Sequence, residues 1–135
     1  AFFHDIGHIC VQATPEQSMD GYGVMRHEQI GADFLREKGF SERVARLVEN
    51  HVQAKRYLTH KVPAYYENLS AASKKTLEFQ GGVMNKEEAL AFEEDPLFEL
   101  SILMRKWDEV AKEEFKAIMD LEILKQKCFK LLHEK

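Results

Sequence analysis

The sequence predicts an all-α fold, and three observations carry that prediction. Apolar residues recur at helical spacing through most of the chain, and helix caps and stops fall between those runs. No stretch shows the period-two alternation of a strand. Internal repeats, low-complexity tracts and a Gly-rich phosphate loop are also missing from the sequence.

The elements follow in order. The chain opens Ala1-Phe2-Phe3 with no initiator Met, as though inside a helix. The expectation is one domain over 1–135 whose N-terminal helix or helices lie upstream of the sequence. His4, Asp5 and His8 then place three metal-competent side chains within five positions. On a helix, neighbouring side chains project about 100° apart, so His4 and Asp5 could reach one ion. A carboxylate can use its two oxygens on two ions, whereas an imidazole nitrogen binds one. Such a pair also suits a polar helix end, so the rest of the chain has to decide.

From Ile9 to Met25 turn formers dominate (Thr14, Pro15, Asp20, Gly21, Gly23), which predicts a long surface loop at the rim of a site. His27, Ile30, Gly31, Phe34 and Leu35 share one face of a helix from Arg26 to Lys38, and Gly39 stops it. Ser41 can cap a second helix, Glu42 to about Ala54, with Val44, Leu47, Val48, His51 and Val52 facing inward. A single inward His is ordinarily a hydrogen-bonded core residue. Two on consecutive helices, after His4 and Asp5, point to metal.

A broken helix or helix–loop–helix step is predicted from Lys55 to Leu69. Ser70 caps a helix to Phe79 on which Ser73 and Thr76 face the same way, ended by Gly81 and Gly82. Asn85 and Glu88 form a capping-box pattern for a short helix to Glu94. Asp95-Pro96 restarts the chain, with Pro96 suited to a first helical position. Leu97, Leu100, Ile102, Leu103, Met104 and Trp107 mark a largely buried helix. It carries Asp108, with Arg105 one turn before as a possible salt-bridge partner. A final amphipathic helix, about Lys112 to Leu132, reads as scaffold.

Composition bounds the function. The chain has 135 residues, 44% hydrophobic and 31% charged, with a net charge of −4. That is enough for one core, and it gives no basic field for nucleic acid. Two distant cysteines, Cys10 and Cys128, are no disulfide framework and suit a reducing, cytoplasmic setting. No apolar run approaches a membrane span and no signal-peptide pattern opens the chain.

His4-Asp5, His27, His51 and Asp108, each group on its own helix, resemble the metal-binding pattern of the HD-domain superfamily. The local text His4-Asp5-Ile6-Gly7-His8, His27-Glu28-Gln29-Ile30-Gly31-Ala32, His51 through Leu58 and Arg105-Lys106-Trp107-Asp108 is similar to one branch, the phosphonate-cleaving mixed-valent di-iron oxygenases. The resemblance covers Phe3 to about Lys112. It implies an HD-domain helical bundle with two iron ions, Fe(II) and Fe(III), in its core. His4 and Asp108 would bind the first iron, Asp5 would bridge, and His27 and His51 would bind the second. His8, Lys55, Ser73, Thr76 and Arg105 would form the phosphonate pocket. The implied reaction uses O2 to cleave the carbon–phosphorus bond of a 1-hydroxy-2-aminoethylphosphonate or its N-trimethyl analogue. It releases phosphate and an amino acid such as glycine or its betaine.

The family pattern includes a further His ligand of the first iron on a preceding helix, so an incomplete first-iron site is the expectation for this stretch. Two other readings stand beside the oxygenase. One is a phosphohydrolase using Mn or Mg on a nucleotide or other phosphate ester. The other is a helical module that keeps the motif as core. The sequence does not fix an oligomeric state.

Overall fold

The computed structural model describes residues 2–11, 15–111 and 120–134. Among them are seven α-helices: α1 (His27–Glu37), α2 (Glu42–Lys61), α3 (Pro63–Asn68), α4 (Ala71–Phe79), α5 (Lys86–Glu93), α6 (Phe98–Ala111) and α7 (Leu121–His133). Two single-turn 3-10 helices, Ile6–His8 and Pro15–Gln17, precede them. The only strand-like pairing among the described residues is an isolated bridge between Ser18 and Val24. The fold is all-α, and no described helix is long and apolar enough to cross a membrane.

The centre is the α1–α2 hairpin. Ala32, Leu35, Ala45 and Val48 are fully buried, with Phe3, Phe34, Phe40 and Val44 packed around them. A second cluster joins the later part of α2 to α5 and α6. It consists of Ala54, Met84, Ala89 and Phe92, with Tyr57, Phe98 and Ile102 against it. Polar ties complete the α2–α6 contact. Arg46 and Asn50 both donate to Asp95 Oδ2, at 2.8 and 3.2 Å, and Asn50 also donates to the buried Ser101 hydroxyl at 3.2 Å.

Several elements differ from the sequence reading, each for a physical reason. His4 and Asp5 lie in a tight turn leading into a 3-10 helix, not on an α-helix. Helix α2 does not break at Lys55 but continues to Lys61, where Val62 is extended and Pro63 starts α3. The run looked broken because it turns polar, yet Lys55 and Arg56 are buried and paired. Arg56 donates to Glu88, to the carbonyls of Gly81 and Gly82, and to Gln53. Pro96 lies in the turn before α6, which starts at Phe98 after Asp95 Oδ1 accepts from the Leu97 amide at 2.8 Å. The inner face of α6 is Ser101, Met104 and Arg105, whereas Trp107 and Leu103 are exposed. Helix α7 is confirmed over Leu121–His133, and none of its described residues is buried. The part of that helix expected at 112–119 lies outside the described residues. The Asn85–Glu88 capping box forms in full, and Ser70 accepts from the Ser73 amide as predicted.

One contact fixes the N-terminal turn on the hairpin. Gly7 is buried so close to the start of α1 that a Cβ there would fall 1.8 Å from the His27 carbonyl oxygen. Gly31 faces it one turn later: a Cβ on that residue would lie 3.1 Å from the Gly7 nitrogen. Neither backbone can yield without moving the other.

Two outcomes follow. Gly7→Ala is expected to destabilise the fold by about 3 kcal/mol, since the clash is with backbone rather than a flexible side chain. A urea midpoint equal to wild type would refute the close approach. Glu88, in turn, is held below its ordinary value of 4.5 by the Asn85 amide and by Arg56. A depressed carboxylate contributes stability above that ordinary value and loses it as pH falls through the depressed one. Glu88→Gln should therefore lower the melting temperature at pH 7 and flatten its decline in acid, which a pH series of thermal melts reads directly.

Candidate metal centre

The site is assembled from four elements around one carboxylate. Asp5 leaves the N-terminal turn with its side chain 57% exposed. Its Oδ1 lies 3.3 Å from His27 Nε2 and 3.4 Å from His51 Nε2. Its Oδ2 lies 3.1 Å from His4 Nε2, which is in turn 3.1 Å from Asp108 Oδ1. One oxygen thus faces the α1–α2 imidazoles and the other faces His4 and α6. Partial burial works to raise the Asp5 pKa, but the contacts with His27, His4 and His51 outweigh it and hold the carboxyl far below its ordinary range.

The hydrogen bonding around the two buried imidazoles shows what the cluster is suited to hold. His51 Nδ1 lies 2.6 Å from the Val48 carbonyl, so it carries the proton and donates. That leaves Nε2 as a bare lone pair, 2.9 Å from His27 Nε2. Two donors about 2.1 Å from one ion and near a right angle apart lie about 3 Å from each other. On the far side of the His27 ring, Nδ1 is buried 3.6 Å from Glu28 Oε2. Neither atom has a hydrogen-bond partner among the described residues. At 3.6 Å the two are not hydrogen-bonded, but Glu28 stands where a small shift would let its carboxylate accept from the ring and orient it. A donor set of nitrogens and carboxylates suits first-row metal ions.

His8 sits beside this cluster in a different role. Its ring stacks on His27 with centroids 3.9 Å apart, and its Nδ1 accepts a 2.9 Å hydrogen bond from the Val24 amide. Burial first, and then the neighbouring His27, push its pKa below the ordinary value. The neutral ring therefore carries its proton on Nε2, 3.9 Å from Asp5 Oδ1. His8, Asp5 and His27 do offer donor atoms within 4.8 Å of one another. A ring with one nitrogen taken and the other protonated is nevertheless a hydrogen-bond donor rather than a metal ligand. Gly23 makes this seat possible: its φ is +136°, and a Cβ there would come within 2.5 Å of the His8 ring. The C-terminal part of the rim loop expected from Ile9 to Met25 is thereby tied to the centre at Val24, while 12–14 lie outside the described residues.

A cavity of about 160 Å³ opens on these residues, and Lys55, Ser73, Thr76 and Arg105 line it with His4, Asp5, His8, His27, His51 and Asp108. All ten residues singled out in the sequence meet at this one place. Lys55 and Arg105 are both buried, at 5% and 6% exposure. Lys55 donates to Thr76 Oγ1 at 3.0 Å, and Thr76 donates to the Ser73 carbonyl at 3.1 Å. Arg105 donates to Asp108 Oδ2 at 3.2 Å. Burial works to lower the Arg105 pKa, but Tyr65, Asp108 and Glu109 outweigh it and hold the guanidinium charged.

Sequence reasoning missed several contributors. Met19, Tyr22 and Gln80 line the cavity, and Tyr65 touches Arg105. For Glu28 a signal existed, because it directly follows His27 at a helix start. Tyr65 gave none, since its partners lie far along the chain on α6.

Comparison with known proteins adds to the geometry. The HD domain family matches residues 1–111. An uncharacterized protein, L432 of Acanthamoeba polyphaga mimivirus, is 42% identical over 134 residues, 99% of this chain and 61% of its own length. Hydroxymethylphosphonate dioxygenase of Gimesia maris is 36% identical over 122 residues, 90% of this chain and 60% of that protein. The glycine-betaine-forming [1-hydroxy-2-(trimethylamino)ethyl]phosphonate dioxygenase of Leisingera caerulea is 40% identical over 112 residues, 83% and 56% of the two chains. The chain thus spans about three fifths of the length of these relatives.

Metal analysis checks the centre. Asp5→Ala is expected to lose most bound metal, because both halves of the cluster face its oxygens. Glu28→Gln should weaken binding by about 10- to 100-fold while leaving the fold intact. Metal content in Asp5→Ala equal to wild type would remove the case for a shared carboxylate.

Proposed function

From a chain that belongs to the HD-domain family, we propose an O2-dependent di-iron oxygenase that cleaves the carbon–phosphorus bond of a small 1-hydroxyphosphonate. The observation that carries this reading is the shared cavity. A cluster of nitrogen and carboxylate donors and two buried cations, Lys55 and Arg105, line one space of about 160 Å³. An engineered cavity of about 150 Å³ holds a molecule the size of benzene. The space therefore suits a small phosphonate headgroup beside the metal donors. Two relatives carry names of dioxygenases acting on phosphonates, one hydroxymethyl and one with a trimethylamino substituent.

In this reading His4, Asp5 and Asp108 hold one iron, and Asp5, His27 and His51 hold the other. The irons supply the redox chemistry that activates O2. The protein supplies position and charge. Arg105 and Lys55 take the phosphonate oxygens with charge-assisted hydrogen bonds, and Ser73 adds a hydroxyl at the wall. Thr76 holds Lys55 through its hydroxyl, which both accepts from the ammonium and donates to the Ser73 carbonyl. His8 presents its Nε2 proton to the substrate's oxygen atoms beside Asp5. Fixing the anion at Lys55 and Arg105 leaves the hydroxyl-bearing carbon toward the metal donors, the geometry the reaction needs.

The overall change balances with one O2. The carbon loses its C–H and C–P bonds and becomes a carboxylate, and the phosphorus leaves as phosphate with the fourth oxygen. One proton is released. Four electrons pass from the substrate to O2, so no other reductant is consumed.

Phosphate release from hydroxymethylphosphonate and from 1-hydroxy-2-aminoethylphosphonate, with or without its trimethyl substituent, tests the reading. Iron-loaded protein is expected to release phosphate only in the presence of O2. Lys55→Met should cut kcat/KM by about 10- to 100-fold. Release that continues under strict anaerobiosis would overturn the oxygenase, and hydrolysis of phosphate esters with Mn or Mg would replace it with a phosphohydrolase.

A further inference from the structure

Arg105 is gripped from two directions, and only one belongs to the metal centre. On one side its Nη1 donates to Asp108. On the other its Nε donates to the Tyr65 hydroxyl at 2.8 Å and lies 3.4 Å from Glu109 Oε1. The Tyr65 hydroxyl passes its own proton toward Glu109 in a short hydrogen bond. Burial, together with the Glu109 hydrogen bond, pushes the phenol above its ordinary value and outweighs the opposing Arg105, so Tyr65 stays a protonated donor. A second cavity, of about 270 Å³, is lined by Tyr65, Ser73, Arg105 and Glu109 among others. Arg105 and Ser73 line both cavities, so the guanidinium forms part of the partition between them.

Tyr65 sits on α3, a six-residue helix with no buried residue, and it is the only one of the six that is not exposed. A helix that adds nothing to the core thus places one hydroxyl against a buried cation. The helix has other attachments: Lys74 lies 5.2 Å over the Tyr66 ring and donates to the Glu67 carbonyl at 3.3 Å.

We propose that Tyr65, oriented by Glu109, is a positioning residue that holds the Arg105 guanidinium in the plane from which it receives the substrate's phosphonate. This rests on the reading of the cavity as an anion pocket. The reason is geometric. A guanidinium binds a tetrahedral oxyanion best when its donor fork is presented in a fixed plane. Asp108 restrains only one terminal nitrogen, and rotation about that contact is stopped by the bond from Nε to Tyr65. Asp108 also faces His4, so without the second anchor the cation is free to follow the metal donors rather than the substrate.

Isothermal titration with inorganic phosphate, on the metal-loaded full chain, tests this. Tyr65→Phe and Glu109→Gln are each expected to weaken phosphate binding by about tenfold with metal content and melting temperature unchanged. In an Arg105→Lys background, which cannot use the Nε contact, Tyr65→Phe should have no further effect. Phosphate affinity unchanged in both single variants, with Arg105→Lys still weakened, would overturn the role of Tyr65 and leave the anion pocket standing. Wild type and Arg105→Lys binding phosphate equally, or not at all, would overturn the pocket itself and the proposal with it.

Discussion

The structure depends on a single carboxylate whose two oxygens face different partners. Asp5 stands between the imidazoles of the α1–α2 hairpin on one side and His4 with α6 on the other. Three imidazoles and two carboxylates do not gather at these distances without either protons or cations between them. The scaffold resists their separation. Gly7 and Gly31 lock the N-terminal turn to α1, the buried Ala and Val residues lock α1 to α2, and Asn50 with Arg46 tie α2 through Asp95 to the start of α6. Each tie has a packing or hydrogen-bonding reason of its own, and together they leave the cluster little freedom to relax.

Much of this was legible in the sequence because helix faces report burial. His27 and His51 fall on apolar stripes, and both are buried. The capping box at Asn85 and the Ser70 cap were readable because they are local, made between residues three apart. What failed to read was long-range. Lys55 and Arg56 looked like the end of α2 because a charged pair normally faces water, and only their partners on α4 and α5 explain why they do not. Trp107 looked buried by its chemistry, yet α6 turns Ser101 and Arg105 inward, because polar partners on α2 and α3 await them. The Gly7 contact was invisible for the same reason: a glycine's spacing says nothing about which backbone will approach it.

The cavity gathers its charges from both halves of the chain. Lys55 on α2 and Arg105 on α6 are cations with low exposure, each held by a hydroxyl, Thr76 in one case and Tyr65 in the other. A hydroxyl adds a hydrogen bond to a cation without cancelling its charge, whereas Arg105 also pairs with the carboxylates of Asp108 and Glu109. The rim loop contributes in the same indirect way: the Val24 amide decides which nitrogen of His8 bears the proton, and with it whether the ring offers a proton or a lone pair.

The openness of Asp5 has a consequence for which ion the centre carries. Its side chain is 57% exposed while His27 beside it is at 4%, so the carboxylate shared by both halves is also the part that meets water. Ions at such a position exchange with their surroundings more readily than ions sealed in a core. Imidazole and carboxylate donors by themselves rank copper and zinc above iron. For such a donor set, the metal supplied as well as the residues themselves bears on which first-row ion would be bound.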